Sequence, residues 1–407
     1  MVNSGPPLVL LAVCAGAVLA AQPTTPTSSL PRLVIAAGET SRTNALVEVQ
    51  LPPTVRGADL QLRHETTGAV VPLQIGPDRE AWALVPSIPA ERAQRYRIEP
   101  AVMGELADRA VAVRQDTHVR VEIDGRRAFS YVGEAGALPS GVEDVYRRGG
   151  YIHPVVTPGG RRVTGDYPLD HKHHHGIWTA WASARVDGRA PDFWNMGERT
   201  GRVEFERLAR TWSGPLAAGF LARHRYVDLT APTPTTVLLE DWRVVAYAWP
   251  AAPRPAHVFD ITITQERVGA TPLDLQAYRY GGIGLRGRDE WLGPERTAFL
   301  TSTGRTRLSG HGTRVTWVHM GGLVDGTRAG LAVLSHPDNV RSPQPVRIHP
   351  TEPFLAFAPL QAGPLQVRPR DPFVMRYRIV ATDGPPDAAL LDAIWQAYAL
   401  PGVVRIE

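Results

Sequence analysis

Cysteine and lysine are almost absent from this chain: among 407 residues there is one of the first, Cys14, and one of the second, Lys172. A single cysteine excludes an intrachain disulfide framework. Long apolar runs are scarce too. The longest extends from Leu8 to Leu19, short of the roughly 20 residues that span a bilayer. It leads through Ala20 and Ala21 into the polar Gln22-Pro23-Thr24-Thr25, the layout of a secretory signal (residues 1–21) cleaved near Ala20 or Ala21, although its first residues include no Lys or Arg. Val13 before Cys14 is too large for a lipoprotein motif. Cleavage removes the cysteine, leaves no thiol nucleophile, and puts a mature protein with no stable membrane insertion in a periplasm or outside the cell. The net charge of +4 and pI of about 9.4 come from bases scattered along the chain. Without clustering or aromatic interleaving, no nucleic-acid partner is expected.

Helical periodicity is confined to Pro386–Ala399, where Leu390, Leu391, Ile394, Trp395 and Tyr398 recur on one face, Asp387 sits in the first turn and Pro401 ends the run. Everything else alternates with period two. After a Thr, Ser and Pro linker (22–31), segments at Arg32–Ala37, Ala45–Leu51, Ala58–His64, Val70–Ile75 and Glu80–Val85 predict a small immunoglobulin-like β-sandwich over 32–115. From His118 onward longer strands predict a large antiparallel β super-sandwich over 116–407, with a short C-terminal helix. Asp124-Gly125 marks a two-residue hairpin, and Leu273–Leu285 reads as one strand. The fold class is all-β.

What the chain does have is histidine in one place. Asp170-His171-Lys172-His173-His174-His175-Gly176-Ile177-Trp178 holds four of its thirteen histidines in five positions. Read as a strand, which the β character after Gly176 favours, the run puts His171, His173 and His175 on one face. An His-x-His pair there supplies two nitrogen ligands to one metal. Read as a helix, it pairs His171 with His174 or His175. Without a metal, an imidazole that titrates near neutrality can move a proton on a sugar ring or leaving-group oxygen, and Trp178 and Trp181 offer apolar faces to a sugar. The plain structural alternative is a loop whose histidines only satisfy buried carbonyls.

Tyr151-Ile152-His153-Pro154, Thr157-Pro158-Gly159-Gly160, Val163-Thr164, Asp170-His171-x-His173-His174 and Gly188 before Asp192-Phe193-Trp194 come first. Tyr280-Gly281-Gly282-x-Gly284-x-Arg286, Thr301-Ser302-x-Gly304, His336-Pro337-x-Asn339 and Arg376-Tyr377-Arg378 follow. In this order the motifs resemble the bacterial family labelled "methane oxygenase PmoA", over residues 118–384. Lys172 stands where that family usually has proline and His175 where it often has arginine, so Asp170, His171, His173 and His174 are the matching residues. Methane oxygenation itself is not expected, because such oxygenase subunits are embedded in a membrane and this chain shows no span after its signal. The resemblance implies a domain of uncharacterised function, often found beside carbohydrate-processing genes. Val258–Arg267, the turn at 269–272 and Leu273–Leu285 are more faintly similar to galactose mutarotase-like proteins. That likeness implies a super-sandwich with the histidine run and Tyr280–Arg286 on its concave sheet.

These readings lead to an exported carbohydrate-active protein, a lyase, hydrolase or epimerase, with a small carbohydrate or glycan as partner and no cofactor. His171, His173 and His174 are its candidate acids and bases, and Asp170, Trp178, Tyr280, Arg286, His336 and Asn339 its candidate substrate contacts. Glu352 is a candidate catalytic carboxylate, with Glu143, Glu198 and Glu290 as rivals; Arg347, like Arg286, suits a carboxylate or hydroxyls. Two alternatives stand beside this: a divalent metal held by His171 and His173, and a glycan-binding protein without catalysis.

Overall fold

The computed structural model describes residues 1, 31–55, 60–101, 107–249 and 254–407. The expected signal and nearly all of the linker lie outside these residues. Among the described residues no helix is long and apolar enough to cross a membrane. The fold is all-β and sandwich-like, 51% strand and 9% helical.

Strand Ala256–Arg267 shows why the chain builds sheets. Phe259, Ile261 and Ile263 alternate with Asp260, Thr262 and Thr264, and the three apolar side chains are fully buried. That period of two commits one face to a core. The strand lies inside an eight-stranded antiparallel sheet, between Thr235–Tyr247 and Phe373–Asp383. The inner face of this sheet packs against a nine-stranded sheet to form the large core. Its outer face is covered as well: Val258, Trp317, Leu334 and Val380 meet Trp82 of an N-terminal sheet and Leu390, Leu391 and Ile394 of the C-terminal helix. That helix spans Ala388–Ala399, and the Asp387 carboxylate caps it by accepting from the Leu390 backbone N–H at 3.0 Å.

The N-terminal unit joins its strands in one seven-stranded sheet. It is tied to the large sandwich by Gln74, whose side-chain oxygen accepts from the backbone N–H groups of Leu216 and Ala217 at 2.8 Å each. The expected division at residue 115 is bridged from both ends. Ala110–Gln115 pairs with His118–Ile123 in the nine-stranded sheet, and Val403–Ile406 returns to pair with Arg32–Ala36 in the N-terminal one. The segment read as a single strand over Leu273–Leu285 is two, Leu273–Leu275 and Gly282–Arg286. Gly281 and Gly282, at φ of 127° and 105°, turn the chain from a three-stranded sheet into the nine-stranded one, a conformation that glycine supplies at little cost.

One polar island interrupts the large core. Glu240 is fully buried and accepts from Thr179 Oγ1 at 2.7 Å, Trp242 Nε1 at 2.8 Å, Gln265 Nε2 at 2.6 Å and Tyr226 Oη at 3.0 Å, with His224 Nδ1 also 3.0 Å away. Because Thr179 reaches inward to this residue, its neighbour Trp178 turns to the opposite, outward face of the nine-stranded sheet. Register carries that face across three more strands: Trp178 pairs with Gly284, Gly284 with Ala356, and Ala356 with Arg347, while Arg286 pairs with Phe354. Arg286, Arg347 and Phe354 therefore share the sheet's outer face, where the histidine run also lies.

Candidate functional site

The histidine run is not a strand. It forms a turn closed by backbone bonds from His171 N to Pro168 O (3.1 Å), His174 N to His171 O (2.8 Å) and Tyr167 N to His174 O (3.1 Å), and the strand begins only at Ile177. Asp170 anchors the turn by accepting from Arg286 Nη2 at 2.9 and 3.1 Å. This geometry replaces the expected pairing of His171 with His173 and His175 by a pairing of His171 with His174, whose rings stack at 4.8 Å and 13°. His173 meets both rings edge-on. His175 is fully buried on the other side, 2.7 Å from Asp166 and stacked on Tyr151, and serves the packing beneath the site.

The turn borders a cleft of about 270 Å³. His171, His173 and His174 form one wall; Trp194, Asn195, Arg279 and Tyr280 form another; Arg347, His349 and Phe354 complete it. Behind His171 lies Glu352. His171 Nδ1 is 3.1 Å from Glu352 Oε2 and 3.7 Å from Asp170 Oδ2, in well-aligned hydrogen-bond geometry with neither. Such alignment often completes only when substrate binds. Glu352 also accepts from Arg286 Nη1 at 2.9 Å and lies 3.4 Å from His349 Nε2. The Nδ1 of His349 accepts from the Glu352 backbone N–H, so its proton sits on Nε2, facing the carboxylate.

One guanidinium therefore serves two carboxylates, which respond differently. Burial opposes ionisation of Asp170, but the neighbouring His171 and the charge and hydrogen bonds of Arg286 outweigh it and hold this carboxyl below its usual range. Glu352 is deeper, its side chain 8% exposed against 31% for Asp170. There burial prevails and, with help from the Asp170 charge, pushes the carboxyl up. Three further imidazoles are kept neutral. Burial, then the neighbouring His171, lowers His173 to about 3; burial, then Arg347, lowers His349 to about 4; burial lowers His153 to about 4. Each of these rings binds a proton more readily in the unfolded chain, near 6.5, than in the fold. Stability from them is complete above pH 6.5 and drains away as pH falls toward 4 and 3. The melting temperature should drop steadily between pH 7 and pH 4 in thermal unfolding followed by circular dichroism; a flat profile would show that these rings protonate freely in the native state.

Of the expected site residues, the structure brings His171, His173, His174 and Tyr280 to the cleft and sets Asp170 and Arg286 behind it. Three belong elsewhere. Trp178 is fully buried, packed under Trp194 and Phe354. Gly284 leaves room for that stack, since a Cβ there would come within 2.8 Å of both indoles. His336 faces Tyr398 in a separate cavity of about 650 Å³ beside the C-terminal helix. Asn339 is buried in a turn, bonded to Ser335 and to the Arg376 backbone. Among the rival acids, Glu143 pairs with Lys172 at 2.7 Å and Glu290 with Arg288 at 2.7 Å, both exposed, and Glu198 is exposed. His349 was missed; its one signal is the three-residue spacing to Glu352.

Among the described residues the group that could hold a metal is His171, His174 and Glu352, whose ligand atoms lie within 4.8 Å of one another; the alternative drawn from the sequence paired His171 with His173. Two imidazoles and a carboxylate are ligand types that suit a divalent ion. Arg286 opposes one, because its Nη1 lies 2.9 Å from the Glu352 carboxylate and 3.5 Å from His174 Nδ1, putting a fixed positive charge beside any ion held there.

Residues 118–396 match a family of unknown function, DUF6807. The chain belongs to that family. The stretch of PmoA-like motifs, 118–384, falls inside the match, and the family carries no assigned activity. No curated protein matches the chain in sequence. Similar solved structures include an alpha-mannosidase from Enterococcus faecalis V583, at TM-score 0.42 and 9% identity, covering 94% of this chain and 46% of the mannosidase. Another is a protein in the glycosyl hydrolase family 38 from Enterococcus faecalis, at TM-score 0.38 and 9% identity, covering 94% of this chain and 48% of that one. The chain spans about half the length of both.

Proposed function

We propose that this DUF6807 member is an exported carbohydrate-active enzyme in which His171, backed by Glu352, moves a proton on a sugar held in the cleft. The observation that carries this is the contact of His171 Nδ1 with Glu352 Oε2 at 3.1 Å at the wall of a 270 Å³ cleft. With Nδ1 turned to the carboxylate, Nε2 is left for a substrate proton, the arrangement of a base oriented by an acid. Trp194 and Tyr280, 5.2 Å apart, supply aromatic surface of the kind that packs on sugar rings.

The acids favour one class of reaction. Two-carboxylate hydrolysis needs acids on opposite sides of the scissile bond, roughly 5 to 9.5 Å apart. Asp170 and Glu352 instead sit side by side on Arg286. Proton abstraction, as in an epimerase or lyase, uses the His171–Glu352 pair directly. The PmoA-like motifs bear on this site as well, since Asp170, His171, His173, His174, Tyr280 and Arg286 all fall at or behind the cleft.

Turnover of a sugar panel by the full chain should fall about 10²- to 10⁴-fold in His171→Ala, the range general base catalysis supplies. Unchanged turnover in that variant would defeat the reading. Metal analysis of protein purified without a histidine tag belongs to the same experiment: a stoichiometric divalent ion, lost in His174→Ala, would select a His171, His174 and Glu352 metal centre instead. Saturable sugar binding with no turnover would select a glycan-binding protein.

A further inference from the structure

We propose that the cleft takes a sugar bearing an anionic group, with Arg347 and Arg279 as its anchors. This rests on the reading of the cleft as a carbohydrate site and adds the substrate class.

The residues bordering the cleft include two guanidinium groups and no carboxylate. The two acids of the site stand behind it and are already held by Arg286. Arg347 is half-buried, its Nε has no partner, and its one side-chain contact is the ring nitrogen of His311 at 3.4 Å. No carboxylate lies within 4.0 Å of it among the described residues. Other partly buried arginines are compensated: Arg161 by Asp383, Arg189 by Asp228 and Arg378 by Asp260. Arg307 and Arg341 lack an acid but donate to backbone carbonyls. Among the described residues Arg347 has neither kind of partner. Its desolvation is offset only in part, by the Glu352 charge acting without a direct contact, and a guanidinium is shaped to take a carboxylate or phosphate through two parallel bonds. Arg279 lies 5.4 Å from the Tyr280 ring and brings a second positive charge to the same opening.

The chemistry of a histidine base agrees. A ring C–H on a neutral sugar is too weak an acid for imidazole, whereas one next to a carboxylate is activated once that carboxylate is neutralised. His171 would take the C–H proton while the electron pair passes into the carboxylate facing the guanidinium groups. The pair then returns to carbon with a proton delivered by water to the opposite face, inverting the centre while His171 releases its proton to solvent, or expels the oxygen substituent on the next carbon, which leaves with the proton His171 received. At about 270 Å³ the cleft lies just below the usual range of ligand pockets, which limits it to about one sugar ring.

Isothermal titration of the full chain with glucuronate, galacturonate, glucose, galactose and glucose 6-phosphate tests this. The charged sugars should bind at least about tenfold more tightly than the neutral ones. Arg347→Gln and the exposed Arg279→Gln should each reduce that preference, and Arg347→Lys should retain part of it; unchanged circular dichroism confirms folding of each variant. A glucose 6-phosphate preference over both uronates supports the anionic class with phosphate as its source. Equal binding of neutral and charged sugars, or undiminished preference in both Arg→Gln variants, overturns the proposal. His171→Ala separates it from the parent reading. Charge preference combined with turnover that ignores His171 leaves the anion site standing and removes the proposed function. His171-dependent turnover of neutral sugars does the reverse, and no binding by any member of the panel removes both.

Discussion

Arg286→Ala costs about 3–5 kcal/mol of folding stability, the usual penalty for removing one partner of a buried ion pair. The guanidinium is 1% exposed and is the cation shared by Asp170 and Glu352. Without it two carboxylates face each other at the back of the cleft, and the deeper one is left with imidazole partners. The Asp170 contact also holds the histidine turn to strand Gly282–Arg286, so the loss should reach the positions of His171 and His174. Urea unfolding gives the stability, and one comparison isolates the charge effect. Arg286→Met combined with Glu352→Gln should recover part of the loss, since an excess buried charge costs more than a missing hydrogen bond. If Arg286→Ala stays within about 1 kcal/mol of wild type, the triad contributes little and the turn is held by its backbone bonds.

Glu240→Ala is expected to be more damaging still. This carboxylate has five side-chain partners and no exposure. Burial pushes its pKa up, yet the bond from His224, the His224 charge, and the bonds from Thr179 and Gln265 overcome that and hold it below the usual range. Truncation leaves those donors facing each other in a dry core, at about 1–3 kcal/mol for each one left unsatisfied. A loss above about 5 kcal/mol approaches the whole stability of many domains. The variant should therefore be recovered as insoluble protein or with its unfolding midpoint shifted to very low urea. Glu240→Gln keeps the shape and part of the acceptor capacity, so it should fold with a smaller loss. Soluble Glu240→Ala with near-native stability would mean that water enters to satisfy the donors.

The second network also positions the first. Thr179 bonds Glu240 inward, which by the alternation of a strand sends Trp178 outward, under Trp194 and Phe354. Trp178 was readable as an aromatic beside the histidines and was expected to touch substrate. Sequence proximity did not reveal that an indole one strand position from an inward threonine would be covered by two other aromatic rings. The same limit explains His336 and Asn339. Each follows the apolar strand Thr327–Ser335, but the turn they form opens on the C-terminal helix and the Arg376 backbone.

Local order was legible without the fold. Period-two alternation announced the strands, Asp124-Gly125 the hairpin between His118–Ile123 and Arg126–Val132, and period-3.6 spacing the helix at Ala388–Ala399. Each depends on residues a few positions apart, whose chemistry constrains the backbone directly. The density of histidine at 171–175 likewise marked where proton or metal chemistry would sit. Which of those rings act together was decided only in three dimensions. A turn, held to strand Gly282–Arg286 by the Asp170–Arg286 pair, stacked His171 on His174, and antiparallel register brought Arg347, His349 and Glu352 to them from more than 170 positions away. Pairing between distant strands is set by which faces can be buried together. That is a property of the assembled sheets, and no window of the sequence contains it.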